Sequence, residues 1–173
     1  MPNKVIFSLV FVSFFVSSAL WAADNHEQRF RQARSPQITA VQIQQFFSDP
    51  SIDVREAFAR NRKLKPSDLL RLASDPSETV RIAVATNLSA ESKTFLLLAR
   101  DSNSVVRSVV ARFEYVPPEA LVILAKDVSA DIRLEVARNL NTLEDTLKVL
   151  LGDPDPDVQA IAAQALQRLK DEQ

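Results

Sequence analysis

Aspartate and arginine are the residues of this chain whose types and spacing could support chemistry. An Asp recurs at intervals of 26 residues, and an Arg follows six residues after each of the first four. The series runs Asp49, Arg55, Asp75, Arg81, Asp101, Arg107, Asp127, Arg133 and Asp153. A row of guanidinium groups can bind phosphates or carboxylates, so anion binding is one interpretation. The interpretation that we favour is a structural ladder, in which Asp and Arg of adjacent units pair.

Other residues with catalytic or metal-binding chemistry are scarce. The chain has no Cys, its only His is His26, and its only Gly is Gly152. Without Cys there is no thiolate metal site, iron–sulfur cluster or disulfide, and one Gly cannot build a phosphate-binding loop. The Asp residues recur because helix starts recur, whereas a catalytic pair would interrupt a repeat. We therefore expect a protein that is not an enzyme and has no catalytic residue, cofactor or metal ligand.

Length and composition fit one ordinary globular domain. The chain has 173 residues, of which 46% are hydrophobic and 25% charged. Lys and Arg number 21 against 22 Asp and Glu, which gives a net charge of −1. Nucleic-acid-binding proteins usually carry a basic excess, so we expect no nucleic-acid partner.

The Asp–Arg spacing belongs to a longer repeat. Ten residues after each Asp comes an Ala, at Ala59, Ala85, Ala111, Ala137 and Ala163. The second half of each of the first four units has two large apolar residues one helical turn apart, as in Phe95 and Leu98. A period of this length predicts an all-α solenoid of two-helix units, with Ala where neighbouring helices cross closely. Asn61, Asn87 and Asn139 are predicted to end the first helices in a left-handed conformation.

The amino terminus has the form of a secretory signal peptide. Lys4 precedes an apolar run over residues 5–20, and small residues follow, with cleavage expected after Ala22 or Ala19. The alternative is an uncleaved membrane anchor, because the apolar run approaches the length that spans a bilayer. In either case we expect export across the inner membrane, with the bacterial periplasm as the destination.

The repeat and the amino terminus together predict the organisation of the chain. The predicted parts are a signal peptide over residues 1–22, a polar tether over 23–35, an N-terminal half-repeat cap over 36–48 and a helical repeat domain over 49–173. A frayed helix is the alternative for the polar tether. The predicted repeats are residues 49–74, 75–100, 101–126, 127–152 and 153–173.

The repeated phrase also carries a family resemblance. Its pattern of Asp-Pro-Ser, Val-Arg, Val-Ala-x-Asn and Leu-x-x-Leu-Ala, as in residues 75–100, resembles the leucine-rich repeat variant family, a helical relative of the HEAT repeats. The resemblance covers residues 49 to about 170. It implies a right-handed α-solenoid of short helices and a role in binding. Some members carry an iron–sulfur cluster on an N-terminal Cys motif, and this chain departs from them because it has no Cys.

Residues that depart from the repeat are the best candidates for a partner-binding surface. The periodicity leaves one face of the first helices exposed, and the candidates on or beside it are Ile82, Val105, Ser108, Arg112, Tyr115, Leu134 and Arg138. Aromatic and Arg side chains around an apolar patch are typical of binding surfaces. The alternative is that these are ordinary surface residues and that Phe113 belongs to the core.

Two functions follow from this reading of the sequence. The first is an exported, non-catalytic scaffold that binds a protein or peptide, of unknown identity, through that face. The second is a structural or assembly factor of the cell envelope, held at the membrane by an uncleaved amino terminus.

Overall fold

The structure is a computed structural model that describes residues 25–171. Within that range every regular element is a helix, and the eleven helices are α1 His26–Ala33, α2 Ala40–Phe46, α3 Ile52–Ala59, α4 Pro66–Leu72, α5 Glu78–Ala85, α6 Ser92–Leu98, α7 Ser104–Arg112, α8 Pro118–Leu124, α9 Ala130–Arg138, α10 Glu144–Leu150 and α11 Pro156–Asp171. The predicted signal peptide lies outside the described residues. No helix in the described range is long and apolar enough to span a bilayer.

The first helix of each two-helix repeat begins after a turn that the repeated Asp stabilises. The Asp75 carboxylate accepts the backbone N–H of Ser77 at 2.8 Å, just before α5. The equivalent bonds join Asp101 to the amide of Asn103 at 2.8 Å and Asp127 to that of Ser129 at 3.0 Å. An Asp side chain that binds the amide two residues on fixes a local turn. The Asp therefore sets where the helix starts.

The described residues form two compact units, one ending at Phe58 and one beginning at Ala59. In the second unit the first helices pack in order, α5 on α7, α7 on α9 and α9 on α11. The repeated apolar residues face inward, and Leu98, Leu121 and Leu124 have no exposed surface. Each two-helix unit thus buries its apolar side against its neighbours, as a solenoid requires. The predicted all-α solenoid is confirmed.

The recurrent Ala is buried where two units meet. Ala85, Ala111 and Ala137 are 0% exposed. Ala163 occupies the same register in α11, yet its side chain is exposed. No further unit packs on α11 within the described residues, so the expectation of a close helix crossing is wrong at this position.

In the compact unit that ends at Phe58, the structure differs from the tether that was predicted over residues 23–35. Residues 26–33 form α1, and α1 packs on α2, so the two make a complete two-helix unit rather than a tether and a half-repeat. Phe46 of α2 is 2% exposed and packs against Phe58 with ring centroids 5.7 Å apart. Helix α1 is ordered despite its polarity because Arg29 and Ala33, which it buries, occupy repeat positions.

The predicted left-handed helix ends are also absent. No residue within 25–171 has a positive φ, and Asn139 has φ −70° and ψ 130°. The Asn residues that follow the first helices are instead buried, at 6% exposure for Asn61, 4% for Asn87 and 8% for Asn139. Their side chains bind the preceding unit, as described below.

Replacing Ala111 by Leu is expected to lower the free energy of unfolding by about 1–3 kcal/mol, because three added carbons overpack a closed helix crossing. Ala163→Leu is the matched control, since this exposed Ala has the same register, and its effect should stay within about 0.5 kcal/mol. Urea unfolding of both variants measures the difference. Equal losses at the two positions would show that burial between units does not select Ala.

Candidate binding surface

The repeated arginines are bound on two sides. The Arg81 guanidinium donates from Nε and Nη2 to the two carboxylate oxygens of Asp101, at 2.6 and 3.0 Å. Its Nη1 donates to the backbone carbonyl of Asp75, in its own unit, at 2.8 Å. Each Arg therefore joins the start of its own helix to the Asp of the next unit through a bidentate, charge-assisted pair.

The same bonds recur in the following repeats. Arg107 binds both carboxylate oxygens of Asp127 at 2.6 and 3.0 Å, and Arg133 binds those of Asp153 at 2.7 and 2.8 Å. Arg107 also donates to the Asp101 carbonyl at 2.9 Å. Because their Nε, Nη1 and Nη2 groups are engaged, these arginines do not form a free anion-binding row.

The environment of the ladder shifts the pKa values of its members. Hydrogen bonding to the Asp153 carboxylate raises the pKa of Arg133, against the effect of burial, and the same bond lowers the pKa of Asp153. Burial alone would raise the pKa of Asp127, but the bonds from Arg107 and the Ser129 amide lower it on balance. The charged forms are therefore the stable ones in the folded protein.

Gln159 replaces Arg in the last repeat and keeps half of this arrangement. Its Nε2 donates to the Asp153 carbonyl at 2.6 Å, as Arg81, Arg107 and Arg133 donate to the Asp carbonyls of their own repeats. It carries no charge, and no further ladder Asp follows within the described residues. A neutral side chain is sufficient where only the carbonyl has to be bound.

Arg29 is a ladder residue that our sequence reasoning missed. Its Nε donates to Asp49 Oδ2 at 2.8 Å, and the two side chains are only 4% and 1% exposed. Arg29 stands 26 residues before Arg55, and Ala33 stands 26 before Ala59. The register was therefore present in the sequence, although the polar composition of residues 24–35 concealed it.

A second ladder, built from Asn, also went unrecognised. Asn87 Nδ2 donates to the carbonyls of Ala59 and Asn61 in the preceding unit, at 2.7 and 3.2 Å. Its Oδ1 accepts the amide of Ser89 at 2.9 Å. Asn139 repeats this geometry on the Ala111 and Phe113 carbonyls, at 2.7 and 3.1 Å. A buried Asn side chain thus satisfies helix-end carbonyls that would otherwise lack a donor.

Phe113 occupies the position that Asn holds in the neighbouring units. It cannot donate a side-chain hydrogen bond, and it stacks instead on Phe95, with ring centroids 5.7 Å apart and an interplanar angle of 22°. Tyr115 packs edge-on against Phe113 at 5.7 Å and is itself 62% exposed. The departure from the repeat therefore produces an aromatic cluster that reaches the surface.

The predicted partner-binding residues differ in exposure. Val105 and Tyr115 are 51% and 62% exposed, and Arg112 and Arg138 are also exposed. The remaining three candidates are half-buried, namely Ile82, Ser108 and Leu134. Helices α5, α7 and α9 carry all of these residues except Tyr115, which follows α7. Their role in binding stays a prediction.

Comparison with known proteins identifies the fold. The chain is similar to a solved structure described as a leucine-rich repeat variant with a novel repetitive protein structural motif, at 26% sequence identity and a TM-score of 0.66. The protein has a leucine-rich repeat variant fold. The match covers 86% of this chain and spans 59% of the length of the other. No protein-family model and no curated protein matches the chain.

Stacked helical repeats present extended faces on which other proteins bind. Within residues 25–171 no group of His, Asp and Glu side chains is placed to hold a metal ion.

Replacing Asp153 by Asn should destabilise the protein in a pH-dependent way. At pH 7 the loss is expected to be about 1.5–3 kcal/mol, the range for hydrogen bonds to charged groups. The pKa of Asp153 is lower in the folded protein than its ordinary value near 3.9, so the carboxylate stabilises the fold above about pH 4. That contribution is lost as the pH falls through the folded-state pKa.

Unfolding free energies of the wild-type protein and the variant should therefore converge in acid. Glu114→Gln is the control, because Glu114 is exposed and its carboxylate makes no hydrogen bond or ion pair in the described part of the chain. A constant difference between wild type and Asp153→Asn from pH 7 to about pH 2 would refute this role of the charge.

Proposed function

We propose that this protein is an exported, non-catalytic scaffold that binds a protein or peptide partner through the exposed face of α5, α7 and α9. The observation that carries the proposal is that the side chains which join the repeats differ from those which are exposed on this face. The repeated Asp, Arg, Asn and Ala residues hold the units together, whereas Val105, Arg112 and Tyr115 contribute to neither ladder and are exposed. Side chains of these types act as anchors in protein interfaces.

Half-burial of Ile82 and Leu134 supports the same surface. Both residues lie on first helices at positions where a solvated helix has no need of an apolar side chain. An apolar strip flanked by Arg112 and Arg138 suits a partner with both apolar and acidic groups.

Export rests on the amino-terminal sequence. Lys4, the apolar run over residues 5–20 and the small residues up to Ala22 have the order of a signal peptide. The periplasm is the compartment that we propose. Because the chain has no Cys, an oxidising compartment can neither form nor break a disulfide in it.

Changing both Ile82 and Leu134 to Glu should strongly reduce partner capture. The protein is expressed with residues 1–22 in place and with a C-terminal affinity tag. Its recovery from the periplasmic fraction tests export as well. Cross-linked partners are then quantified by mass spectrometry. We expect at least about a tenfold loss, because two charges must be desolvated against the apolar strip.

The matched control is Val122→Glu with Val149→Glu, on second helices α8 and α10, where both residues are exposed. It should retain capture. Circular dichroism confirms that both proteins fold. If the same partners were recovered in equal amount with both double variants, the face of α5, α7 and α9 would not be the binding surface.

A further inference from the structure

The loop between α3 and α4 concentrates positive charge. Residues 60–65 contain four cations and no acid, and all four are exposed: Arg60, Arg62, Lys63 and Lys65. We call these six residues the basic loop. The whole chain has a net charge of −1, so the loop does not reflect a generally basic composition. A local excess of this kind creates a positive potential at one place on the surface.

Folding does not require three of these cations. The equivalent positions in the next three units contain none, since they hold Leu88, Ser89 and Glu91, then Glu114, Tyr115 and Pro117, then Leu140, Asn141 and Leu143. Lys65 even precedes the first turn of α4, where the helix dipole favours acids over cations. The Asp68 carboxylate of that turn accepts the Lys65 amide at 3.1 Å. Stability therefore does not explain Arg62, Lys63 and Lys65.

A groove of about 210 Å³ lies beside the basic loop. It is lined by Arg60, Arg62, Ala83, Thr86, Asn87 and Leu88. Thr86 and Leu88 are exposed on the wall that faces the loop's unit, and Leu88 offers an apolar contact with 53% of its surface accessible. The groove is thus cationic on one side and partly apolar on the other.

Hydrogen bonds between units hold the groove open in one shape. Asn87 binds the carbonyl of Asn61 at 3.2 Å, and Ser89 Oγ donates to the carbonyl of Arg62 at 3.2 Å. Asn61 Oδ1 accepts the amide of Lys63 at 2.9 Å. The backbone of the loop is therefore held in place, while the side chains of Arg62, Lys63 and Lys65 are exposed. A preformed site loses less entropy when a ligand binds.

Building on the proposed function, we propose that the basic loop and its groove bind an acidic, extended segment of the peptide or protein partner. Carboxylates of the segment pair with Arg62, Lys63 and Lys65, and an aliphatic side chain packs on Leu88. Charge complementarity selects the acidic character of the occupant. A groove, rather than a flat basic surface, favours a chain segment over the plane of an anionic bilayer.

The test uses a fluorescent peptide of about ten residues in which Glu and Leu alternate, titrated with the folded protein. The loop variant is Arg62→Gln, Lys63→Gln and Lys65→Gln. The control variant removes three other exposed cations, Lys93→Gln, Lys126→Gln and Lys170→Gln. We expect the loop variant to lose at least about tenfold in affinity and the control variant to bind as the wild type does. Binding should weaken between about 0.05 and about 0.5 M salt.

Several results would overturn the proposal. These are failure of the acidic peptide to bind, equal binding by the loop variant, and equal binding of a peptide with Gln in place of Glu. Anionic phosphatidylglycerol vesicles that bind in a loop-dependent way while the peptide does not would identify a membrane instead. A change of oligomeric state in the loop variant would identify a second copy of the chain. If the loop variant still captured the partner that Ile82→Glu with Leu134→Glu loses, only this inference would fail.

Discussion

The structure depends on one interaction, the bidentate pair between an Arg and the Asp of the following unit. Arg107 illustrates its logic, because it binds the Asp127 carboxylate through two nitrogens and the Asp101 carbonyl through a third. The Asp in turn fixes the turn that begins its own helix. One residue pair therefore sets the start of two helices and the distance between two units. The apolar residues can bury one another only once this register is established.

Two further constraints stabilise junctions between neighbouring repeats. Asn87 binds the end of the preceding first helix, and Ala at the helix crossing allows the backbones to approach. Polar groups buried between units are thereby satisfied, with none left unpartnered among the described side chains. Because these contacts occupy the recurrent polar residues, we propose that the positions that vary are the ones that bind a partner. The basic loop and the strip around Arg112 and Tyr115 are such positions.

The sequence was sufficient for the fold because a strict 26-residue register exposes helix starts, core positions and the ladder together. It was less reliable where one residue type has two physical uses. Asn after a helix was assigned a left-handed end, yet the structure uses its amide to bridge units. The polar composition around Arg29 predicted a tether, yet Arg29 pairs with Asp49 as a ladder residue. The groove beside Arg62 could not be predicted from the sequence, because residues of two neighbouring repeats line it.

A double-mutant cycle on Arg107 and Asp127 tests most directly whether the ladder sets the register. Free energies of unfolding are measured at pH 7 for Arg107→Gln, Asp127→Asn and the double variant. We expect a coupling energy of about 1–3 kcal/mol, because each single change leaves a charged partner half-buried and unpaired. A coupling below about 0.3 kcal/mol, with the two single losses simply adding, would contradict the account.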